Sequence, residues 1–329
     1  MLPDEFIQAL PKAELHLHLE GAVPWELARA RSPELPPTPP WWSDGFVFTD
    51  FAIDFAQAMR SCFHPVLRTA GDYAEVARLI FAGLAAQNVR YAELSFSPRY
   101  ALGRGIAAAD VARAIKRAAP PGLAVAVFAG LSREVPAGLD DPVVRGILAA
   151  DELDGLDLHG DERRSGAAPF AAIFAAAGAR GLALRAHAGE LAGAASVAET
   201  LDALAVRRIE HGVTAAGDPA LIERLIAEEV TLDLCPTSNV KLGVTPALEA
   251  HPIGELHRRG VRVTVSTDDP TIFGCSLAGE LRALHYRLGF SLADLAQLQV
   301  NAFRVSRMPP DARVAAEREI ADLLARVAL

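Results

Sequence analysis

A chain of 329 residues, 51% of them hydrophobic, can bury one large core and has none of the polar bias of a disordered segment. Its net charge of −9, with no dense run of Lys or Arg, excludes a nucleic-acid footprint. Cys62, Cys235 and Cys275, odd in number and far apart, exclude a disulfide framework and fit a reducing compartment.

The start of the chain lacks a basic stretch followed by an apolar run, and the most apolar segment, residues 122–131, is about half the ~20 residues a membrane helix needs. The expectation is a cytoplasmic protein with no membrane or nucleic-acid partner. Oligomeric state leaves no signal here.

The first element is residues 12–21, Lys-Ala-Glu-Leu-His-Leu-His-Leu-Glu-Gly, whose apolar-polar alternation has the period of a strand. His16 and His18 then share one face while Leu15, Leu17 and Leu19 take the other. Two imidazoles side by side bind a metal only if further ligands converge on them. Residues 24–30 read as a short helix, followed by a Pro-rich stretch at 33–40 and by Trp41, Trp42, Phe46, Phe48, Phe51 and Phe55. Prolines break regular structure, so residues 24–70 form an insertion after the first strand. It is either a satellite core or a lid over a pocket, and the two are compatible.

From residue 71 onward, helix and strand alternate. Helical spacing covers 71–88, 111–118, 143–150, 168–180, 194–205, 220–227 and 253–259, and strands fall at 89–96, 123–128, 153–158, 182–187, 208–210, 230–234 and 261–267. With the opening strand this makes eight β-then-α units. Such regular alternation implies a parallel sheet, and eight units fit a closed (β/α)8 barrel forming one domain over residues 1–329.

A barrel of this kind carries its active site at the C-terminal ends of the strands. There this chain places His16, His18 and Glu20, then His159 and Gly160, then His187 and Glu190. Glu210 and His211, Cys235 to Asn239, and Asp268 and Asp269 complete the rim. Five of the nine histidines fall at these ends; His64, His251, His257 and His285 are scattered elsewhere and read as surface or core residues. His16, His18, His187 and Asp268 are a borderline-hard donor set that suits one Zn²⁺. His211 and Asp269 could orient an attacking hydroxide, and Glu190 stands where a proton donor is needed.

Other chemistries fit less well. A binuclear hydrolase needs a bridging Lys or carboxylate where His159-Gly160 stands, and a cytidine-deaminase site needs paired cysteines. Residues 103–108 match a loose dinucleotide-binding pattern, but no acidic residue closes a following strand.

Taken together, residues 12–21, 157–162 (Asp-Leu-His-Gly-Asp-Glu), 187–190 (His-Ala-Gly-Glu), 208–212 (Arg-Ile-Glu-His-Gly), 235–239 (Cys-Pro-Thr-Ser-Asn) and 266–270 (Ser-Thr-Asp-Asp-Pro) resemble the adenosine deaminase family of metal-dependent hydrolases. The resemblance implies a 6-aminopurine substrate and one zinc on His16, His18, His187 and Asp268. It implies that Glu190 protonates ring N1 while hydroxide, placed by His211 and Asp269, adds at C6 and ammonia leaves. It also implies that the Gly160 N–H meets ring N3 and that Ser238 supports Asp268. An adenosine-like nucleoside is the first substrate expected. Glu20, where nucleoside-specific members tend to have Asp against a ribose hydroxyl, resembles relatives acting on free adenine or on modified adenine nucleosides, and residues 268–274 resemble relatives acting on aminodeoxyfutalosine, so aminodeoxyfutalosine or free adenine is the alternative.

Overall fold

The computed structural model describes residues 1–327 apart from 44 and 136. No side chain is described at 51 or 52, so the Phe51 ring lies outside the described residues. Strands β1 (Lys12–His18), β2 (Val89–Phe96), β3 (Ala124–Ser132), β4 (Gly155–His159), β5 (Ala183–Ala188), β6 (Arg208–His211), β7 (Thr231–Leu234) and β8 (Arg262–Val265) form one parallel sheet in sequence order. Helices fill the crossovers, giving the expected (β/α)8 barrel. Its seam closes at the C-terminal rim, where Leu17 and Asp268 bridge β1 to the chain beyond β8. The Asp268 N–H donates to the His16 carbonyl (2.9 Å) and the His18 N–H to the Asp268 carbonyl (3.0 Å). The backbone bonds that shut the barrel thus run through three residues expected at the metal site. No described helix is long and apolar enough to cross a membrane.

Side-chain parity separates two cores. Leu94, Leu156, Ala186, Ile209, Leu232 and Val263 are fully buried in the apolar layer that the sheet shares with its helices. The opposite parity carries Glu93, Asp157, Arg185, Arg208, Glu210 and Asp233. Glu93 on β2 meets Arg208 on β6 at 2.6 Å and Arg185 on β5 at 3.3 Å; contacts between strands so far apart in the sheet cross the barrel interior. Arg208 also pairs with Asp233 (2.6 Å), which accepts from Thr264 Oγ1 (2.6 Å), and Tyr91 donates to Glu93 (2.8 Å). Branched aliphatics usually dominate such interiors. Here two guanidiniums are shared among four carboxylates, and removing one partner of a buried pair typically costs about 3–5 kcal/mol.

Helical chain fills the stretch after β8, and helices at Pro3–Ala9, Pro98–Gly103 and Pro236–Lys241 are among those not foreseen. Each of the three opens on proline at its first position, where the missing N–H has no helical partner to lose. β8 stops at Val265 rather than reaching 267, and Asp268 just beyond it has φ +61°.

Between β1 and β2 the insertion folds back over the rim. Trp41 is buried against Trp25 and Phe63, with ring centroids at 5.5 and 6.3 Å. Trp42 Nε1 donates to the Thr271 carbonyl (2.7 Å), and Phe55 stacks on Phe273 at 6.2 Å. A satellite core and a cover over the β8 end are therefore the same object. The helix that follows, Ala70–Ala86, starts at a capping box between Thr69 and Asp72.

Candidate active site

β1, β5 and the turn after β8 bring four donors together. His16 Nε2 lies 3.2 Å from His18 Nε2 and 3.1 Å from His187 Nε2, and the latter two are 3.3 Å apart. Asp268 Oδ1 is 3.3 Å from His16 Nε2 and 3.4 Å from His18 Nε2. Donors held about 2.1 Å from one ion sit roughly 3.0–3.4 Å from each other at ordinary coordination angles. The set therefore fits a single small divalent ion, and its three imidazoles with one carboxylate suit zinc. Asp268 pays for this placement with a left-handed backbone, a conformation that Asp tolerates better than most residues. Burial by itself would raise the Asp268 carboxyl, but the imidazoles of His16, His211 and His18 bring it well below the ordinary range. Ser238 Oγ donates to its Oδ2 at 2.7 Å.

Two of the clustered imidazoles, the deepest in the barrel, each meet a carboxylate through Nδ1. Glu210 Oε2 is 2.6 Å from His16 Nδ1, and Asp157 Oδ1 is 3.2 Å from His187 Nδ1. Contacts of this kind fix which nitrogen is left for the metal. Arg133, buried, donates from Nη2 to the His187 carbonyl (2.8 Å).

Beside the donors stand Glu190, His211 and Asp269. Glu190 follows β5 on a tight turn at Gly189 (φ +69°), and Glu162 anchors that turn. Its carboxylate accepts from the N–H groups of Gly189, Glu190 and Leu191 at 2.7, 2.8 and 2.7 Å and from Ser196 Oγ. Burial, then the charges of Asp268 and Glu162, push Glu190 well above the carboxylate range. Asn239 Nδ2 donates to Glu190 Oε1 (3.2 Å) and lies 3.2 Å from His211 Nδ1. His211, at φ +65°, is pushed well below its usual pKa by burial and by His16. Burial and neighbouring Asp268 raise Asp269, and its Oδ1 is buried without a hydrogen-bond partner among the described residues. Gly21 packs directly on this carboxylate: a Cβ there would stand 1.7 Å from Asp269 Oδ1.

These groups line a cavity of about 620 Å³. Glu20, Gly160, His159 and His18 line it as well, with Phe96, Leu131 and Phe273 as apolar walls. Glu20 is 6% exposed, accepts from the Ser97 N–H (2.9 Å), and is raised by burial to about 7. Gly160 has φ +97°. The insertion supplies Phe55, Met59 and His64 to the wall. His64, read as a scattered residue, thus faces the cavity, stacked on Tyr100 at 3.9 Å. His251 is a core residue, bonded to Asn239 Oδ1 (3.1 Å). Sequence reasoning quoted Asp157, Glu162, Glu210 and Asn239 within motifs but gave them no role, because their partners lie on other strands.

Residues 11–324 match the family model described as Adenosine deaminase. An adenine deaminase of Streptomyces coelicolor is 34% identical over 321 residues, 94% of each chain. The crystal structure of adenine deaminase from Arthrobacter aurescens matches at a TM-score of 0.87 and 29% identity, over 96% of this chain and 99% of that one. A Burkholderia ambifaria amidohydrolase with bound Zn matches at 0.83 and 26%, over 99% and 94%. A (β/α)8 barrel with such a donor cluster at its C-terminal rim is the architecture of the metal-dependent hydrolases. Within that class, the chain belongs to the adenosine deaminase family and is an aminohydrolase acting on a cyclic amidine C–N bond.

Proposed function

We propose that this enzyme hydrolyses free adenine to the 6-oxopurine and ammonia, using one zinc ion held by His16, His18, His187 and Asp268. The observation that carries the chemistry is four donor atoms within 4.8 Å of one another, five of their six separations being 3.1–3.4 Å, at a cavity wall shared with Glu190. The sequence reading put a nucleoside first, with aminodeoxyfutalosine or free adenine as the alternative. Relatives named adenine deaminase, at 34% identity over 94% of the chain, support free adenine. Glu20 gives this a physical basis: one methylene longer than Asp and buried against Ser97, it takes room on the side where a ribose would lie.

Bound at these donors, zinc supplies Lewis-acid activation of water near neutral pH. Glu190, held protonated, donates to N1 of the ring as water oxygen bonds to C6. Asp269 orients that water, and His211, held neutral, takes up its proton. The proton then passes to the C6 amino group, which leaves as ammonia while the C6–oxygen double bond forms and the remaining hydroxyl proton returns to Glu190. The Gly160 N–H meets N3, Ser238 steadies Asp268, and the insertion roofs the purine through Phe55 and Met59.

Amine release from a panel of adenine, adenosine, deoxyadenosine, N6-methyladenine and aminodeoxyfutalosine (ammonia, or methylamine from the N6-methyl compound) tests the substrate. We expect kcat/KM for adenine to exceed that for each nucleoside by roughly 10²-fold or more, and Glu20→Asp to narrow the gap. A nucleoside turned over faster than adenine would overturn the free-base reading while leaving deamination intact.

A further inference from the structure

Asp157, His187 and Glu210 offer three donor atoms within 4.8 Å of one another, behind the four-donor site and fully or nearly fully buried. Such a triad has the makings of a second cation site, yet a cation of the protein's own already stands there. Arg185, fully buried on β5, has Nε 3.0 Å from Glu210 Oε1 and Nη2 3.6 Å from Asp157 Oδ2. Its Nη1 donates to the Leu15 carbonyl on β1 and lies 3.3 Å from Glu93. The guanidinium lies over the Phe128 ring, 4.2 Å from its centroid. That ring fits because Gly155 has no side chain: a Cβ there would be 2.1 Å from Phe128 Cε1. The guanidinium is thus clamped from several strands, and rigid in a way a hydrated ion is not.

Both carboxylates that Arg185 contacts reach past it to a donor imidazole. Glu210 Oε2 is 2.6 Å from His16 Nδ1, and Asp157 Oδ1 is 3.2 Å from His187 Nδ1, which also lies 3.1 Å from the Leu158 carbonyl. The His16–Glu210 contact is a close charge pair rather than an aligned hydrogen bond, and a carboxylate this near favours the tautomer with its proton on Nδ1. With Nδ1 protonated, Nε2 carries the lone pair that a metal needs. Cys235 Sγ, 3.5 Å from the same His16 nitrogen, is a weaker partner at longer range.

We propose that Arg185 is a positioning residue for the metal site. Acting through Glu210 and Asp157, it aims His16 and His187 at one ion and itself fills the place a second ion would take. This rests on the reading that His16, His18, His187 and Asp268 hold the metal. Arg185 touches no ligand imidazole in this role; it fixes the two carboxylates that do.

The test uses the full-length enzyme with Glu210→Gln, which keeps the side chain's volume, and Arg185→Lys, which keeps the charge but loses the planar fork. Zinc affinity is measured by chelator competition, and ligand geometry by the visible spectrum of the cobalt-substituted protein. Both variants are expected to bind zinc at least about tenfold more weakly than wild type, with a shifted cobalt band. A folded variant with unchanged zinc affinity and cobalt spectrum overturns the proposal, because a purely structural role would lower thermal stability and leave both readings in place. Should Arg185→Lys fail to fold, Glu210→Gln decides on the same two measurements. A wild-type chain that binds no zinc overturns the metal-site reading itself, and this inference with it.

Discussion

Replacing Glu190 by glutamine is expected to lower turnover by at least about 10²-fold while zinc content stays at the wild-type level. The side chain is held by its turn, which Glu162 ties through three backbone N–H groups, so the substitution does not free it to move. Glutamine keeps an oxygen to accept the Asn239 amide but cannot deliver a proton to the ring. Burial and the charges of Asp268 and Glu162 raise the Glu190 carboxyl, which favours its protonated, proton-donating form. The sign follows: the donor is present below the raised pKa and lost as pH climbs through it. Wild-type turnover therefore falls on the alkaline side as this group deprotonates, and that contribution to the profile is missing in Glu190→Gln. Ammonia release across pH, alongside metal analysis, reads both effects. Near-normal turnover in the variant would remove Glu190 from the chemistry.

The second large effect is expected at Asp268. Asp268→Ala should lose zinc and activity together, with turnover down roughly 10³-fold or more, in line with the several kcal/mol a bound ion supplies. Alanine also fits the left-handed backbone poorly, so Asp268→Asn is the companion variant: asparagine accepts φ near +60° and keeps the shape. It too should bind zinc weakly, since a neutral amide replaces the one anionic donor among three imidazoles. Full zinc occupancy and an unchanged rate in either variant would refute the ligand assignment.

Much of the molecule was legible from residue order. The period-2 alternation of residues 12–18 and the strand-helix rhythm that follows are local signals, and a barrel turns them into a site at one rim without further information. Short-range patterns therefore sufficed to bring His16, His18, His187, Asp268, Glu190 and His211 into one list. What stayed hidden depends on contacts across the barrel. Glu93 and Arg208 lie 115 residues apart, and nothing in either strand announces the other. Arg185 drew no notice in its strand and Glu210 was placed at the rim without a role, whereas inside the barrel they are paired in the buried charge network. The insertion was ambiguous for a different reason: clustered aromatics report burial but not what they are buried against, and the tie from Trp42 to Thr271 supplies that answer.

The central claim is that one zinc, gripped by four side chains beside a proton donor, runs a deamination of adenine. The most direct measurement strips the purified enzyme with a chelator, returns zinc in steps, and follows ammonia released from adenine. The account predicts a rate that climbs linearly and breaks at one zinc per chain. A rate indifferent to zinc, or a break at two, would contradict it.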